Sequence, residues 1–317
     1  MKKTFFLLAV LIALGLLYWG FSRPNTAHAD KTSIVVSGYV PYTLARQIGG
    51  DKIALSMLLP ANAEPHSFEP TPGDMVAVRR ANVFAYVSPR IEPWAKDVLA
   101  AVGPDTLVVE AAAFAAPSDD PHVWMDFNNA GRIAAALAEA LANKDPQNAA
   151  FYEANLAAFQ AELAALDADY KSALADCQSR EVVHVGHLAF KNLTKNYNLS
   201  LSSLAGASHD GEHSARKLAE LVKFIRQKNV KTIFTEETLS PRLSAAVAEE
   251  TGARILPLYT VEHVGKGDFE RGATYGELMR RNLENLQRGL GCKAQSVRKT
   301  CVSPIRACPF WKIFLST

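Results

Sequence analysis

Short apolar runs alternate with amphipathic stretches in the first part of the chain, and this pattern predicts strands alternating with helices. The predicted strands are 33–37, 53–59, 83–87 and 106–109. The predicted helices are 40–48, 71–80 and one that begins at Glu92. Because strands that alternate with helices favour a parallel sheet covered by helices, we predict one α/β lobe here.

The same alternation begins again in the second part of the chain. The predicted strands are 181–185, 199–204, 231–234 and 254–258. The predicted helices are 189–197, 214–228, 241–251 and 274–290. The pattern therefore predicts a second α/β lobe, so the fold class is two Rossmann-like lobes with parallel sheets.

Between the two lobes, the chain is rich in Ala, Leu and Glu at helical spacing, over 129–142 and 146–175. A helix of about 30 residues is about 45 Å long, which exceeds the width of one small domain. Such a helix most simply spans two lobes. We therefore predict an N-terminal lobe at 30–145, a linking helix at 146–176 and a C-terminal lobe at 177–292.

Both ends of the chain differ from this central region. Residues 1–29 have the pattern of a secretory signal peptide, with Lys2 and Lys3 before an apolar run and Ala27-His28-Ala29 at its end. This pattern predicts export to the periplasm; because the apolar run is long, an uncleaved membrane anchor is the alternative. Residues 293–317 carry five basic and no acidic side chains. We expect a disordered tail or a frame-shifted end there and assign it no function.

The formal net charge of +2 conceals an acidic central region. Eight of the 34 basic residues lie in the two end segments, whereas all 32 acidic residues lie between them. Residues 30–292 therefore carry 26 basic and 32 acidic side chains, a net charge of −6. Because nucleic acids bind basic surfaces, the sequence argues against a nucleic-acid partner.

The chain has four cysteines, at Cys177, Cys292, Cys301 and Cys308. None of them forms a C-x-x-C pair, so a thiolate zinc site is not expected. Export would place the protein in an oxidising compartment, which favours a disulfide between Cys177 and Cys292. That bond would tie the start of the second lobe to the end of its last helix.

Three histidines lie where a strand or an apolar run gives way to a loop, in Glu64-Pro65-His66, Asp120-Pro121-His122 and His187-Leu188-Ala189-Phe190. Imidazole is the commonest metal ligand, but a single histidine is more often structural. The three therefore indicate a metal site only if the fold brings them together. Candidate carboxylates follow second-lobe strands at Glu236-Glu237 and Glu262-His263. Three imidazoles and one carboxylate suit Zn²⁺, and suit Mn²⁺ less closely.

Together these motifs resemble those of the substrate-binding proteins of zinc/manganese ABC importers, the cluster A-I family. The resemblance runs from about Ser33 to Leu290. The matching segments are Leu59-Pro60, Glu64–Pro70, Glu92–Trp94, Asp120–Trp124, His187–Phe190, Glu236, Leu239–Pro241 and Gly272–Tyr275. The resemblance implies two α/β lobes joined by one long rigid helix, with a single metal ion in the cleft between them.

Carried over by motif, the resemblance implies that His66, His122 and His187 are metal ligands. Glu236 is expected to orient one of these imidazoles through its free N–H. The family's fourth ligand is often an aspartate in the loop before the last helix, and this chain departs from that pattern. Alignment on Gly265 places Glu262 at the acidic position. His263 is the competitor, and a water molecule is the remaining alternative.

Other polar groups are given structural roles. His209 and His213 lie among acidic neighbours; an accessory metal site is conceivable, but we favour a solvated loop. His184 lies within a predicted strand and is expected to be buried and hydrogen-bonded. For Asp119-Asp120 we favour a role in a turn over a second metal contact.

The expected function is that of a periplasmic receptor that captures Zn²⁺, or next Mn²⁺, and delivers it to an ABC permease and its ATPase. We expect a monomer and no enzymatic activity. A zinc-dependent hydrolase is the main rival, but no H-E-x-x-H or G-x-S-x-G motif supports it, and four protein ligands would close the position that catalysis needs. A surface adhesin that carries metal is a further alternative.

Overall fold

Two parallel sheets form the framework of the protein. The computed structural model describes residues 31–61, 63–203, 215–236 and 241–293. The strands of the first sheet are β1 (Thr32–Val36), β2 (Ile53–Met57), β3 (Val83–Tyr86) and β4 (Leu107–Glu110). Their spatial order is β2-β1-β3-β4, and every neighbouring pair is parallel. The parallel sheet predicted for the first lobe is therefore confirmed.

The second sheet repeats this arrangement. Its strands are β5 (Glu181–Val185), β6 (Ser200–Ser203), β7 (Thr232–Glu236) and β8 (Arg254–Leu258). Their order is β6-β5-β7-β8, again with parallel neighbours. In both sheets the strand order reverses at the inner pair, which is where open α/β sheets form a binding crevice at the carboxyl ends of the strands.

Helices connect and cover the strands. In chain order they are α1 (Tyr39–Gly49), α2 (Pro72–Arg80), α3 (Ala95–Ala101), α4 (Phe127–Lys144), α5 (Ala149–Ala173), α6 (Lys191–Asn196), α7 (Ala215–Gln227), α8 (Pro241–Thr251), α9 (Lys266–Glu270) and α10 (Tyr275–Leu290). Side chains cap several of them: Thr71 and Asp74 form a capping box at α2, and Thr274 caps α10.

Helix α5 is the predicted linking helix. Its 25 residues correspond to about 37 Å at 1.5 Å per residue. It packs against α1 and α4 of the first lobe and α10 of the second. The Tyr170 hydroxyl donates to the carbonyl of Met279 at 2.6 Å, and Glu162 pairs with Arg280 at 2.6 Å. The helix is shorter than predicted because residues Pro146–Asn148 form a separate 3-10 turn.

The apolar core continues from one lobe into the other. Val40 and Leu44 of α1 belong to the same buried cluster as Tyr275 and Leu278 of α10. Polar contacts reinforce this interface, since the Tyr275 hydroxyl donates to the carbonyl of Trp124 at 2.6 Å. The two lobes are thus packed directly against each other, in addition to being linked by α5.

The disulfide between Cys177 and Cys292 is present, as predicted. It joins the start of the second lobe to the second residue after α10. The predicted signal peptide and nearly all of the predicted tail lie outside the described residues. Among the helices that the structure describes, none has the length and apolar character needed to cross a membrane.

Candidate metal centre

Four side chains from separate loops meet in the cleft between the lobes. Each of His66, His122, His187 and Glu262 offers one ligand atom, and these atoms lie within 4.8 Å of one another. The first lobe contributes two imidazoles, and the second contributes an imidazole and a carboxylate. The four side chains are at most 6% exposed. The fold therefore brings together the histidines and the carboxylate singled out in the sequence.

His66 lies on a short 3-10 turn, Pro65–Ser67, in the loop after β2. The Glu64 carboxylate accepts a hydrogen bond from the backbone N–H of His66 at 3.2 Å, which starts the turn. The indole Nε1 of Trp94 donates to the carbonyl of Pro65 at 2.7 Å, and its ring packs edge-on against Phe68. The Glu-Pro-His and Glu-Pro-Trp motifs therefore act together to fix the loop that presents His66.

His122 is held by the aspartate two residues before it. Asp120 Oδ1 accepts from the backbone N–H of His122 at 3.1 Å and lies 2.7 Å from its Nδ1. The first bond makes the predicted turn; the second adds a function that the sequence interpretation missed. Because a carboxylate only accepts, Nδ1 must carry the proton, which directs the Nε2 of His122 towards the other ligand atoms. An Asp two residues before a candidate ligand is the signal that could have identified this contact.

His187 has an equivalent carboxylate partner in Glu236. Glu236 Oε1 accepts from the backbone N–H of His187 at 2.8 Å and lies 2.8 Å from its Nδ1. Gly186 makes this approach possible, because a Cβ there would lie 2.2 Å from Glu236 Oε1. His184 is fully buried, as expected, with its Nδ1 3.1 Å from the carbonyl of His187. The imidazole contact predicted for Glu236 is therefore present.

Glu262 lies in the turn between β8 and α9. Its carboxylate oxygens are 3.4 Å from His66 Nε2, 3.2 Å from His187 Nε2 and 3.9 Å from His122 Nε2. Both oxygens are buried, and within the described parts of the chain neither has a well-oriented hydrogen bond. His263 is also buried but does not belong to the converging group.

The spacing of these atoms fits one small metal ion. Tetrahedral zinc with bonds of 2.0–2.1 Å would separate its ligand atoms by roughly 3.3 Å. The Nε2 atoms of His122 and His187 are 3.1 Å apart, and the imidazole–carboxylate distances are 3.2–3.9 Å. Two imidazole nitrogens that face each other beside a buried carboxylate need a shared cation between them, either a proton or a metal ion.

The buried charges strongly perturb the acid–base properties of the site. Burial lowers the pKa of His187, but its contacts with Glu236 and Glu262 outweigh this effect and raise the pKa to about 10. Burial favours the neutral form of Glu262, but its close contact with His187 and the attraction of the three imidazoles hold the pKa of its carboxyl well below the usual range. A proton and a metal ion therefore compete for the same imidazole nitrogen.

The remaining polar candidates lie elsewhere. Asp119 is exposed and pairs with Lys191, so it is not part of the convergent group. Glu237, His209 and His213 lie outside the described residues.

The sequence and the fold are similar to those of known metal-binding proteins. The family described as "Zinc-uptake complex component A periplasmic" matches residues 34–289. The high-affinity zinc uptake system protein ZnuA of Bacillus subtilis is 30% identical over 286 residues, covering 84% of this chain and 89% of that protein. The structure of the laminin-binding protein Lmb of Streptococcus agalactiae, described as having adhesin and metal-transporting activity, has a TM-score of 0.74. It is 33% identical and covers 82% of this chain and 99% of that one. The Zn(II)-bound ZnuA-like domain of Streptococcus pneumoniae AdcA has a TM-score of 0.73 and is 27% identical, over 82% of this chain and 99% of that one.

Proposed function

Since the chain belongs to the family of periplasmic zinc-uptake components, we propose that it captures one Zn²⁺ ion between its lobes and delivers it to an ABC permease with its ATPase. His66, His122, His187 and Glu262 are the proposed ligands. The observation that carries this proposal is the convergence of their buried ligand atoms within 4.8 Å.

The choice of zinc over manganese follows from the donor set. Three imidazole nitrogens and one carboxylate form a closed four-coordinate group, which suits Zn²⁺. Mn²⁺ favours sites with more oxygen donors and a higher coordination number. Within the described residues, the converging group contains a single carboxylate, so we expect the site to bind Mn²⁺ more weakly than Zn²⁺.

Zinc binding requires that His187 lose a proton and that the imidazoles of His122 and His187 keep their orientation. Asp120 and Glu236 each hold the Nδ1–H of one ligand, so His122 and His187 present Nε2 to the ion. His187 gives up its Nε2 proton when zinc binds, because only the neutral ring has a free lone pair there. Glu262 is already ionised at neutral pH and can bind the ion directly.

The proposed role is transport and not catalysis. A zinc hydrolase needs an open metal position and a carboxylate base close to it. The four proposed ligands close that position, and the nearby Glu236 carboxylate is engaged with His187. The adhesin activity described for Lmb belongs to that protein, and no observation on this chain calls for it.

Location, subunit state and lobe limits are further parts of the proposal. Residues 1–29 act as a signal peptide that directs the protein to the periplasm, and the receptor is a monomer. The lobes are 30–145 and 177–292, joined by 146–176. Support comes from the signal-like sequence pattern and from the family's periplasmic description. Cell fractionation tests the location, and light scattering of the purified protein tests the subunit state.

A zinc titration of chelator-treated protein against a competing chromophore tests the function. We expect close to one tight Zn²⁺ per chain, whereas the absence of a tight site would end the receptor hypothesis. The His187→Ala variant should bind zinc far more weakly than His209→Ala, and equal affinities would refute the site assignment. Comparing Glu262→Ala with His263→Ala identifies the fourth ligand: only the former should lose most of the affinity.

A further inference from the structure

Side chains of α6, in the second lobe, form polar contacts with the segment of the first lobe that carries His122. Lys191, at the start of this helix, pairs with the carboxylate of Asp119. Near the end of the helix, Asn196 Nδ2 donates to Asp126 Oδ2 at 2.6 Å. These contacts cross from the second lobe to the loop on either side of the ligand. Helix α6 follows His187 closely in the chain, so it moves with the second lobe.

Asn192 lies between these contacts and bonds through its backbone N–H and both polar atoms of its side chain. Its backbone N–H donates to Asp120 Oδ2 at 3.2 Å, and its Nδ2 donates to the carbonyl of His122 at 3.0 Å. Its Oδ1 accepts from the hydroxyl of Ser118 at 3.0 Å. One residue of the second lobe therefore binds three residues of the loop that presents a ligand of the first lobe.

One of these bonds is made to Asp120, the carboxylate that orients the imidazole of His122. Asp120 is 4% exposed, and its two oxygens have different partners. Oδ1 holds the ring Nδ1 and the backbone N–H of His122, whereas Oδ2 accepts from Asn192. The carboxylate that orients His122 is thus itself oriented from the other lobe. The contacts of Asn196 and Lys191, in contrast, end on Asp126 and Asp119, and neither of these carboxylates bonds to a ligand ring among the described residues.

We propose that Asn192 is a positioning residue that makes the ligand geometry of His122 depend on contact between the lobes. Its three bonds must break together when the lobes separate, because all of them cross the cleft. Asp120 and the backbone of His122 then lose their anchor, and the imidazole is no longer held in line with the ligands of the second lobe. Separation of the lobes thereby weakens a metal bond on the opposite side, so that release becomes cooperative. The inference rests on the proposed zinc function.

The test compares Asn192→Ala with Asn196→Ala in the full protein. Both variants replace an asparagine on the same helix and lose a side chain that bonds across the cleft. Asn192→Ala loses the bonds to the carbonyl of His122 and to Ser118 but keeps the backbone bond to Asp120, so it tests the part of the anchor that holds the backbone of His122. Zinc-loaded protein is mixed rapidly with excess chelator, and the release rate is measured. We expect release from Asn192→Ala to be about tenfold faster than from the wild type, by analogy with other partners that orient metal ligands. Asn196→Ala should stay within about twofold, the effect of one exposed hydrogen bond.

A spectroscopic measurement separates positioning from general loosening of the lobes. Co²⁺ replaces Zn²⁺ in such sites, and its visible absorption depends on ligand geometry. The spectrum of Asn192→Ala should differ from that of the wild type, whereas that of Asn196→Ala should not. Should Asn192→Ala not fold, Asn192→Ser carries the same expectation, because its short hydroxyl cannot bridge Ser118 and His122.

The outcomes are distinct. Equal release rates for the two alanine variants, or an unchanged cobalt spectrum in Asn192→Ala, would overturn the positioning role. A wild-type protein that binds no zinc would instead refute the proposed function, and the positioning role with it.

Discussion

The carboxylate of Glu236 should set the pH range over which the protein binds zinc. With a pKa of about 10, the His187 imidazole carries a proton at neutral pH that zinc must displace. The logarithm of the zinc association constant should then rise by about one per pH unit between about pH 7 and 9, which is about 1.4 kcal/mol per unit. An imidazole with the ordinary pKa of about 6.5 would give almost no slope above pH 7.5.

The Glu236→Gln variant tests this reasoning. The amide keeps the shape and one acceptor oxygen but removes one of the two negative charges that stabilise the imidazolium. We expect the pKa of His187 to move back towards its ordinary value, so that the slope above pH 7.5 becomes shallower. Affinity at high pH should fall by roughly 10- to 100-fold, because the ring loses a partner that orients it and raises its basicity.

The assay is a competition titration against a chelator whose own protonation is known at each pH. Glu181→Gln is the matched control, since it makes the same substitution at the first residue of β5, the end of that strand away from His187. The control should reproduce both the wild-type slope and the wild-type affinity. A Glu236→Gln slope equal to that of the wild type would refute the view that this carboxylate raises the pKa of His187.

Three other predictions concern stability and packing. The raised pKa of His187 stabilises the metal-free fold fully below about pH 6.5, and this contribution is lost as pH rises towards 10. Chemical unfolding of the metal-free protein should therefore show a free energy of unfolding that declines over this range by at most about 1.4 kcal/mol per pH unit, and a constant value would contradict the prediction. Gly186→Ala would place a methyl group 2.2 Å from a Glu236 oxygen and should weaken zinc binding at least about tenfold. Gly267→Ala is the control and should bind zinc normally, because no atom lies within 4 Å of its added Cβ; similar zinc titration curves for the two variants would contradict the role of Gly186. Cys177→Ser breaks a bond that closes a loop of 115 residues, and urea unfolding should show a loss of roughly 2–5 kcal/mol; an unchanged midpoint would show that the disulfide adds no stability.

The local features of the fold were predictable from sequence because they have local causes. Alternating apolar runs located both sheets, and helical spacing located the long linking helix. The start of that helix was misplaced, because Pro146 and the side chain of Asp145, which accepts from Asn148 and Tyr152, define a separate turn. Apolar periodicity alone does not report such side-chain bonds.

The ligand candidates were also found from sequence, through motifs and the alignment on Gly265. The hydrogen bonds that orient the ligand side chains were harder to predict. The contact of Asp120 with His122 spans two residues, but the contact of Asn192 with the same carboxylate joins positions 72 residues apart. Such a contact depends on how the lobes are packed, and no periodicity or spacing within one segment encodes it.

The central claim is that one zinc ion is bound jointly by the two lobes. Anomalous diffraction at the zinc absorption edge, from crystals of the zinc-loaded protein, tests it most directly. We predict a single strong peak in the cleft, about 2.0–2.2 Å from Nε2 of His66, His122 and His187 and from a carboxylate oxygen of Glu262. A strong peak at any other position, or none in the cleft, would contradict the account.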